Sequence, residues 1–201
     1  MTIQLLRTTD STLSPDLAAE EQKKEYAWIV RCSEGDPVAI RWVLDKYRER
    51  VVRLAAHVLH NPREAEDVAQ DAFVKAFRML SQYRGDSSFY AWLYRIVVNL
   101  CLDRMRRKSV SSEIPLDEGL LVHKAAPDVA IDHKLSVEQV LNTLSPAMRA
   151  ALVLREIEGL EYSEIAKVLG IPVGTVRSRL NSAREQFRQR WLAIQDEANH
   201  V

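Results

Sequence analysis

Cysteine is scarce in this chain, and neither of its thiols stands near a second metal ligand. Cys32 and Cys101 are the only two cysteines among 201 residues, and no histidine lies near either of them at ligand spacing. Disulfide frameworks and zinc sites need cysteines and histidines at short, regular spacings. We therefore expect reduced, partly buried thiols and no metal or cofactor. The five histidines are scattered and define no site: His57, His60, His123, His133 and His200.

Long hydrophobic runs are also missing. No apolar stretch approaches the roughly 18 to 20 residues that span a bilayer. The N-terminus, MTIQLLRTTDSTL, lacks the basic start and apolar block of a secretory signal. Apolar residues nevertheless make up 47% of the chain, which is ordinary for one or two small domains with buried cores. The sequence predicts a cytoplasmic globular protein without membrane insertion.

The chain has no net charge, because 28 Lys and Arg balance 28 Asp and Glu, but the charges are distributed unevenly. Basic residues outnumber acidic ones by 15 to 10 in residues 26–108 and by 8 to 5 in residues 145–192. Between these segments, residues 109–144 carry 2 basic residues against 6 acidic ones. Local patches set the field that a phosphate experiences, so zero net charge does not exclude a nucleic-acid partner.

The most informative stretch, residues 162–190, predicts two helices joined by a tight turn. Gly170 ends one apolar-periodic segment, and Pro172 with Gly174 prepares the start of another. Apolar residues recur at helical spacing on both sides of this turn, at Ile165, Ala166, Leu169, Val176, Leu180, Ala183 and Phe187. The two stripes can bury against each other, which is the layout of a helix-turn-helix.

The remaining face of the second helix is polar and basic, and its side chains are short near the start of the helix. It carries Arg177, Ser178, Asn181, Ser182, Arg184 and Arg188. A helix that enters the major groove presents a surface of this kind. The alternative is a helical hairpin whose charged face is merely solvated. We favour DNA reading because the turn residues and the apolar stripe occur together.

The N-terminal half begins with two helical segments. Residues 1–24 show no sustained period and are interpreted as a loose extension. A helical pattern starts at Tyr26, and Asp36-Pro37 then starts a long helix as an N-cap followed by a proline. Asn61-Pro62 interrupts that helix.

The next helix, residues 63–80, has an acidic face opposite its apolar one. The polar acceptors near its start are Glu64, Asp67, Gln70 and Asp71. The helix dipole favours acids there by a few tenths to about 1 kcal/mol each, so a solvated face is one explanation. A docking face for a basic protein partner is the other, and the residues alone leave both open. A two-carboxylate site would need a histidine or a pocket that this helix does not supply.

Residues 83–108 interleave aromatic and basic side chains. Those expected in the core are Phe89, Trp92, Leu93, Ile96, Val97, Leu100 and either Cys101 or Leu102. Those expected outside are Tyr83, Tyr90, Tyr94 and Asn99, and the bases are Arg95, Arg104, Arg106, Arg107 and Lys108. Aromatic faces beside cations are typical of single-stranded DNA binding, and an exposed asparagine can both donate to and accept from a base edge.

The second half begins with a linker. Residues 109–131 combine turn formers with acids, whereas residues 132–144 and 146–157 resume helical patterns, the latter capped by Ser145. These helices would pack against the helix-turn-helix and complete a four-helix domain. The whole pattern predicts an all-α fold of two helical domains joined by a flexible linker.

Three blocks of sequence, in this order, resemble the extracytoplasmic-function (ECF) sigma factors of bacterial RNA polymerase, particularly the sigma-E-like group. They are DVAQDAFVKAFR, YRGDSSFYAWLYRIVVN and YSEIAKVLGIPVGTVRSRL, with the acidic linker before the third. The resemblance covers residues 26–192. It implies sigma region 2 over residues 26–108 and sigma region 4 over residues 132–192, with an N-terminal extension at 1–25, a linker at 109–131 and a tail at 193–201.

The resemblance also implies a function, partners and site residues. A sigma factor catalyses no reaction; it binds core RNA polymerase through the beta-prime clamp helices and the beta flap, selects promoter DNA and helps to melt it. Regulation by an anti-sigma factor and a role in a stress response are common in the family. The polymerase contact maps to Glu64, Asp67, Gln70 and Asp71. Region 2 would read the minus-ten element, with Tyr83 and Asn99 at a flipped base, assisted by Tyr90, Tyr94, Arg95, Arg104, Arg106, Arg107 and Lys108.

The minus-thirty-five contact maps to Thr175, Arg177, Ser178, Arg179, Asn181, Ser182 and Arg184. At Asn181 and Ser182 the chain departs from the sigma-E-like pattern, which has an aromatic residue followed by an arginine, so these positions are predicted to set promoter choice. Two other functions compete: a helix-turn-helix regulator that acts without core polymerase, and an adaptor that binds only proteins. A regulator of that kind needs neither an acidic docking helix nor an aromatic-basic helix, and an adaptor predicts no dependence on DNA.

Overall fold

The computed structural model describes residues 15–85, 87–111 and 137–199, and all regular structure in these ranges is helical. The helices are α1 (Pro15–Ser33), α2 (Pro37–Leu59), α3 (Pro62–Met79), α4 (Phe89–Ser111), α5 (Val137–Asn142), α6 (Pro146–Leu152), α7 (Tyr162–Leu169) and α8 (Val173–Asn199). A 3-10 turn follows α3, and a π-helical turn, Val153–Ile157, follows α6. The predicted all-α fold is confirmed. Residues 1–14, 86, 112–136 and 200–201 lie outside the described ranges, and with them most of the predicted linker and the predicted helix start at residues 132–136.

The helix boundaries follow from local capping chemistry. The Asp36 carboxylate accepts hydrogen bonds from the backbone N–H groups of Val38 (2.8 Å) and Ala39 (3.4 Å) at the start of α2. Asn61 caps α3, and Ser145 caps α6. Each cap satisfies N–H groups that have no partner within the helix, and each is followed by a proline that fixes the first turn. The predicted starts at Asp36-Pro37 and Ser145-Pro146 are confirmed, and the predicted break at Asn61-Pro62 is also the start of α3.

The chain is helical further towards both ends than the sequence pattern indicates. The expected loose extension is helical from Pro15, because α1 packs along α2, where Glu25 accepts a hydrogen bond from Tyr47 and pairs with Lys46. At the other end, α8 continues through the expected tail to Asn199. There the rings of Phe187 and Trp191 stack with centroids 6.1 Å apart, which extends the apolar side of α8.

The first half, α1 to α4, packs around large side chains from α2 and α4. Tyr47 and Phe89 meet edge to face with ring centroids 5.3 Å apart, and Leu54 and Leu93 are fully buried beside them. Each such side chain contributes roughly 1.5 to 3 kcal/mol by leaving water. The core positions predicted along α4 are buried or half-buried, as expected.

The second half, α5 to α8, contains the helix-turn-helix. Gly170 ends α7 in the left-handed conformation (φ 65°), which suits a residue without a Cβ atom. Ile165 on α7 and Val176 and Leu180 on α8 have no exposed surface, and α7 packs against α8. Ala166 and Leu169, the other residues predicted in the α7 stripe, are only half-buried. Val168 is buried on α7 as well.

The two halves share one continuous core. Helix α4 packs against α7, and α2 contacts α6 and the π-helical turn. Arg149 of α6 is buried in this region and donates a hydrogen bond from Nη1 to the backbone carbonyl of Val58 at the end of α2 (3.0 Å). The helices of the second half therefore lie directly on the helix that carries the predicted minus-ten residues.

Candidate functional site

Helix α3 presents the predicted docking face to solvent. The side chains of Asp67 and Asp71 are 66% and 62% exposed, and Gln70 between them is also exposed. Val74 lies one turn further along the same face and is 51% exposed. Sequence reasoning missed Val74, although a valine at position i+7 from Asp67 and i+3 from Asp71 is a recognisable signal of an apolar contact on an acidic face.

Glu64 differs from the other acids of this face, because its carboxylate is used inside the protein. It accepts a hydrogen bond from the Asn61 side chain (2.9 Å) and pairs with Lys108 of α4, and it is only 19% exposed. Capping and ion pairing therefore account for an acid at this position.

Basic side chains near the end of α4 pair with the acids of α3. The Arg104 guanidinium lies 3.8 Å from the Asp67 carboxylate and 3.3 Å from that of Asp71. Exposed pairs of this kind contribute only about 0 to 1 kcal/mol, so a stronger partner can replace either side. Arg104 and Lys108, predicted to hold DNA phosphates, have carboxylate neighbours in this structure.

One side of α4 forms an exposed polar strip. Arg95, Asn99 and Arg106 are exposed, and the helical spacing places them along the same side of α4. Arg106 pairs with Asp103 of the preceding turn at 3.3 Å, whereas Arg107 lies exposed beside them. The predicted exposure of Asn99 is confirmed, and its amide can reach a base that approaches from solvent.

Tyr83 stands at the edge of an aromatic cluster just before α4. It is half-buried, its hydroxyl donates to the backbone carbonyl of Ser87 (2.7 Å), and its ring meets Phe89 edge to face at 5.4 Å. Tyr26 of α1 lies on its other side, with the ring centroids 6.2 Å apart. The turn between α3 and α4 thus holds Tyr83 in a fixed orientation with part of its ring accessible.

Tyr94 is not on the surface, and the prediction that it would be exposed is wrong. It is 1% exposed, and its hydroxyl donates to the Glu158 carboxylate at 2.6 Å. Tyr90 is half-buried and donates to the Glu164 carboxylate at 2.5 Å. Burial and the hydrogen bond to Glu164 raise the pKa of Tyr90 to about 12, and burial with the charge of Glu158 raises the pKa of Tyr94 further. Both hydroxyls are therefore neutral donors at physiological pH.

The first turns of α8 present the predicted DNA-reading face. Thr175, Arg177, Ser178, Asn181 and Ser182 are exposed, on the side away from the buried stripe of α8. Arg179 is half-buried at the edge of this face. The structure thus brings together all but one of the predicted minus-thirty-five residues with their side chains free to approach DNA.

Arg184 is the exception. Its guanidinium donates two hydrogen bonds to the same oxygen of Glu156 (2.6 and 3.1 Å) and lies near the Tyr162 hydroxyl (3.4 Å). This arrangement fixes α8 to the π-helical turn and raises the pKa of Arg184. Its contact with a phosphate would require exchange of the Glu156 pair.

The described residues contain no group of three or more His, Cys, Asp or Glu side chains that could hold a metal ion. Cys32 and Cys101 are free and buried, and burial raises the pKa of the Cys101 thiol to about 12. Within residues 15–85, 87–111 and 137–199, no helix is both long enough and apolar enough to cross a membrane.

Comparisons with known proteins agree with this architecture. The model of Sigma-70 region 2 matches residues 43–110, and that of Sigma-70, region 4 matches residues 134–187. The RNA polymerase sigma-H factor of Pseudomonas aeruginosa is 37% identical over 177 residues, which cover 82% of this chain and 92% of that protein. The ECF RNA polymerase sigma-E factor of Escherichia coli K12 is 35% identical over 178 residues, with 82% and 93% covered.

A solved structure is similar as well. The sigma factor RpoE in complex with the anti-sigma factor NepR, from Bartonella quintana, matches 74% of this chain and 94% of that chain, with 25% identity and a TM-score of 0.60. The fold and its exposed faces define a helical, two-part protein with a helix-turn-helix. The chain belongs to the ECF sigma factors of the sigma-70 family, as its three motifs predicted.

Proposed function

We propose that this chain is a promoter-specificity subunit that binds core RNA polymerase, places it at a promoter and helps to melt the DNA. The observation that carries the proposal is the presence of three separate exposed faces on one chain. These are the acidic face of α3 with Val74, the polar strip of α4, and the first turns of α8. A helix-turn-helix regulator that acts alone would need only the last of them.

Each face has a partner of fitting chemistry. The acidic face of α3 suits the basic surface of a clamp helix, with Val74 as its apolar contact. On α4, Asn99 can hydrogen-bond to an unpaired base while Arg95 and Arg106 hold phosphates. On α8, Arg177 and Asn181 have the donors that read base edges in the major groove, and Ser178 and Ser182 leave room for close approach.

Regulation forms part of the proposal. The similar RpoE structure contains an anti-sigma factor, and the Escherichia coli relative is named as an ECF sigma-E factor. We infer a cytoplasmic protein that is held inactive by an anti-sigma factor and released in a stress response. The proposed domains are region 2 at 26–108 and region 4 at 132–192.

The test is transcription with purified components. Core polymerase with this chain, added to fragments of the genome from which the chain comes, should produce transcript starts that core polymerase alone does not. Mapped starts should share sequences near positions minus ten and minus thirty-five. If no new starts arise while a known sigma factor programmes the same core preparation, the proposed function is wrong.

Asn99 offers a residue-level prediction for promoter melting. We expect Asn99→Ala to weaken open-complex formation by roughly 1 to 3 kcal/mol, because a flipped base would lose its hydrogen-bonding partner. Permanganate reactivity of unpaired thymines on a mapped promoter measures the effect. Ser81→Ala, an exposed change in the turn before α4, serves as the control. Unaltered melting by Asn99→Ala would assign Asn99 no part in base reading.

A further inference from the structure

Helix α1 is attached to α2 by residues that lie just before and just after Tyr26 in the sequence. Glu25 pairs with Lys46 of α2 at 2.7 Å. The Trp28 ring stacks on the Trp42 ring of α2, with the centroids 5.4 Å apart and the planes inclined at 11°. These contacts fix the position of Tyr26, whose own side chain is 43% exposed.

Tyr26 lies against the turn that carries Tyr83. The two ring centroids are 6.2 Å apart, and the planes are inclined at 47°. A Cβ atom at Gly85 would lie only 3.1 Å from Cε2 of Tyr26, and the φ of 77° at Gly85 is in the region that favours glycine. Glycine therefore lets the Tyr26 ring lie directly against the backbone of this turn. Two aromatic rings, one from α1 and one from the turn before α4, thus stand side by side.

The two rings line a recess that is open to solvent and has a volume of about 420 Å³. Sites for small ligands typically have volumes of about 300 to 1,000 Å³. The other residues that line the recess are Gln22, Lys23, Arg84 and Gly85.

The two cations of this recess, Lys23 and Arg84, are exposed, and neither forms an ion pair within the part of the chain that the structure describes. They differ in this from Arg104 and Lys108, which pair with carboxylates of α3. A phosphate can therefore bind Lys23 or Arg84 without displacing a carboxylate.

An unpaired nucleotide is the ligand that fits this combination of side chains. Stacking on an aromatic ring suits any base, because every base has a π-face, and cations beside the ring attract the neighbouring phosphates. The Gln22 amide can both donate to and accept from a base edge. Rings, unpaired cations and an amide thus converge on one opening.

We propose that a second unpaired base of the melted promoter stacks on Tyr26 in this recess, with Lys23 and Arg84 at the phosphates on either side of it. The proposal rests on the proposed function and extends it to α1, because Tyr26 precedes residues 43–110, which match Sigma-70 region 2. Asn99 reads one base through its amide, whereas Tyr26 binds another by stacking. Tyr26 therefore adds affinity for single-stranded DNA with little preference for sequence.

Abasic substitution tests the position of the stacked base. The probe is a fluorescein-labelled single strand with the sequence of a mapped promoter around minus ten, made for each strand and with one base at a time replaced by an abasic sugar. Core polymerase with the unaltered chain should lose about 5-fold to 100-fold in affinity when the stacked base is absent. Tyr26→Ala should show the same loss on the intact strand, and removal of that base should then cost nothing further. Asn99→Ala should abolish the cost at a different position.

Two variants of α1 serve as controls. Tyr26→Phe retains the ring and should bind the intact strand as the unaltered chain does. Val30→Ala, one turn further along α1 and 39% exposed, truncates the same helix outside the recess. Equal affinity of Tyr26→Ala and Val30→Ala would overturn the proposal, and so would a single position shared by Tyr26→Ala and Asn99→Ala. A loss for Tyr26→Ala that is confined to core binding, measured with labelled chain, would mark the recess as a protein contact and overturn it as well.

The two cations provide an independent measurement. Each phosphate contact removed from a single strand lowers the slope of log K against log salt by about 0.7, so Lys23→Ala with Arg84→Ala should lower it by about 1.4. Lys24→Ala, whose ammonium pairs with Glu20 at 3.2 Å, is the matched control and should leave the slope unchanged. Equal slopes in the two cases would overturn the proposal. An unaltered chain that starts no transcript with core polymerase would instead contradict the proposed function, so the two failures are distinguishable.

Discussion

Replacement of Arg149 by methionine is expected to destabilise the protein by about 3 kcal/mol or more. Arg149 is 4% exposed, and its guanidinium donates hydrogen bonds to backbone carbonyls. It bonds the carbonyls of Leu141 (2.9 Å), Asn142 (3.0 Å), Leu144 (3.4 Å) and Val58 (3.0 Å). Burial lowers its pKa to about 10, so it remains charged at neutral pH. Methionine fills similar space without a donor and would remove all of these hydrogen bonds. The Leu141 carbonyl would keep its bond from the backbone N–H of Leu144 (3.2 Å), whereas a buried carbonyl left without any donor costs about 1 to 3 kcal/mol.

Thermal unfolding followed by circular dichroism at 222 nm measures this effect. A loss of about 3 kcal/mol should lower the melting temperature by roughly 6 to 12 °C, since a chain of this size changes by about 2 to 4 °C per kcal/mol. Arg149→Lys should recover little of the lost stability, because one ammonium group cannot reproduce the donors of the planar guanidinium. Arg190→Met, at an exposed position of α8, is the matched control and should change stability by no more than about 0.5 kcal/mol. Equal melting of Arg149→Met and Arg190→Met would contradict the role of the guanidinium.

Arg149 also illustrates what the sequence could not predict. It stands within the apolar segment PAMRAALVL, where an arginine looks like one exposed residue of an amphipathic helix. Its partners are carbonyls at the end of α5, in the loop that follows it, and at the end of α2, which lies 91 residues earlier. Every residue has a backbone carbonyl, so the residue pattern does not indicate which carbonyls will accept hydrogen bonds from Arg149. Only the tertiary structure shows these partners.

Local features were predictable because their physics is local. Asp36-Pro37 and Ser145-Pro146 each start a helix where expected, and Asn61-Pro62 interrupts one where expected, since a cap and its proline act within four residues. Gly170 ends α7 for the same reason. The exposed faces of α3 and α8 were also predictable, because the side opposite an apolar stripe is solvated unless another element covers it.

The burial of Tyr94 had a weaker signal that was available in the sequence. The segment FYAWLYRIVVNLCL contains only Arg95 and Asn99 as strongly polar residues, so apolar side chains occur on nearly every side of the helix. A helix that is hydrophobic on most sides is covered on most sides. One layer of α2 and α3 cannot achieve that, and α7 provides the missing cover. The sequence does not identify α7 as the covering element, because α7 follows the linker and only the tertiary structure shows that the two halves are in contact.

Charge reversal at Asp67 is expected to weaken binding of core polymerase by at least tenfold. Asp67 is 66% exposed on the acidic face of α3, so an arginine there would face the basic clamp helix with a like charge. Like charges brought together at an interface cost several kcal/mol. A tenfold loss of affinity corresponds to about 1.4 kcal/mol and is therefore a lower bound. Because the position is exposed, Asp67→Arg should fold normally. Fluorescence anisotropy of labelled chain with core polymerase, at several salt concentrations, measures the affinity.

The neighbouring cation makes this prediction specific. Arg104 lies 3.8 Å from Asp67 and 3.3 Å from Asp71, so in the free chain it would compete with the proposed polymerase contact for the same carboxylates. Arg104→Ala should therefore leave core affinity unchanged or raise it slightly, by no more than about 1 kcal/mol, while it weakens DNA binding. Glu34→Arg, at an exposed acid in the turn after α1, changes net charge by the same amount and should not affect core binding. If Asp67→Arg and Glu34→Arg bind core polymerase equally well, α3 is not the docking helix, whereas a loss confined to Asp67→Arg would place the contact on its acidic face.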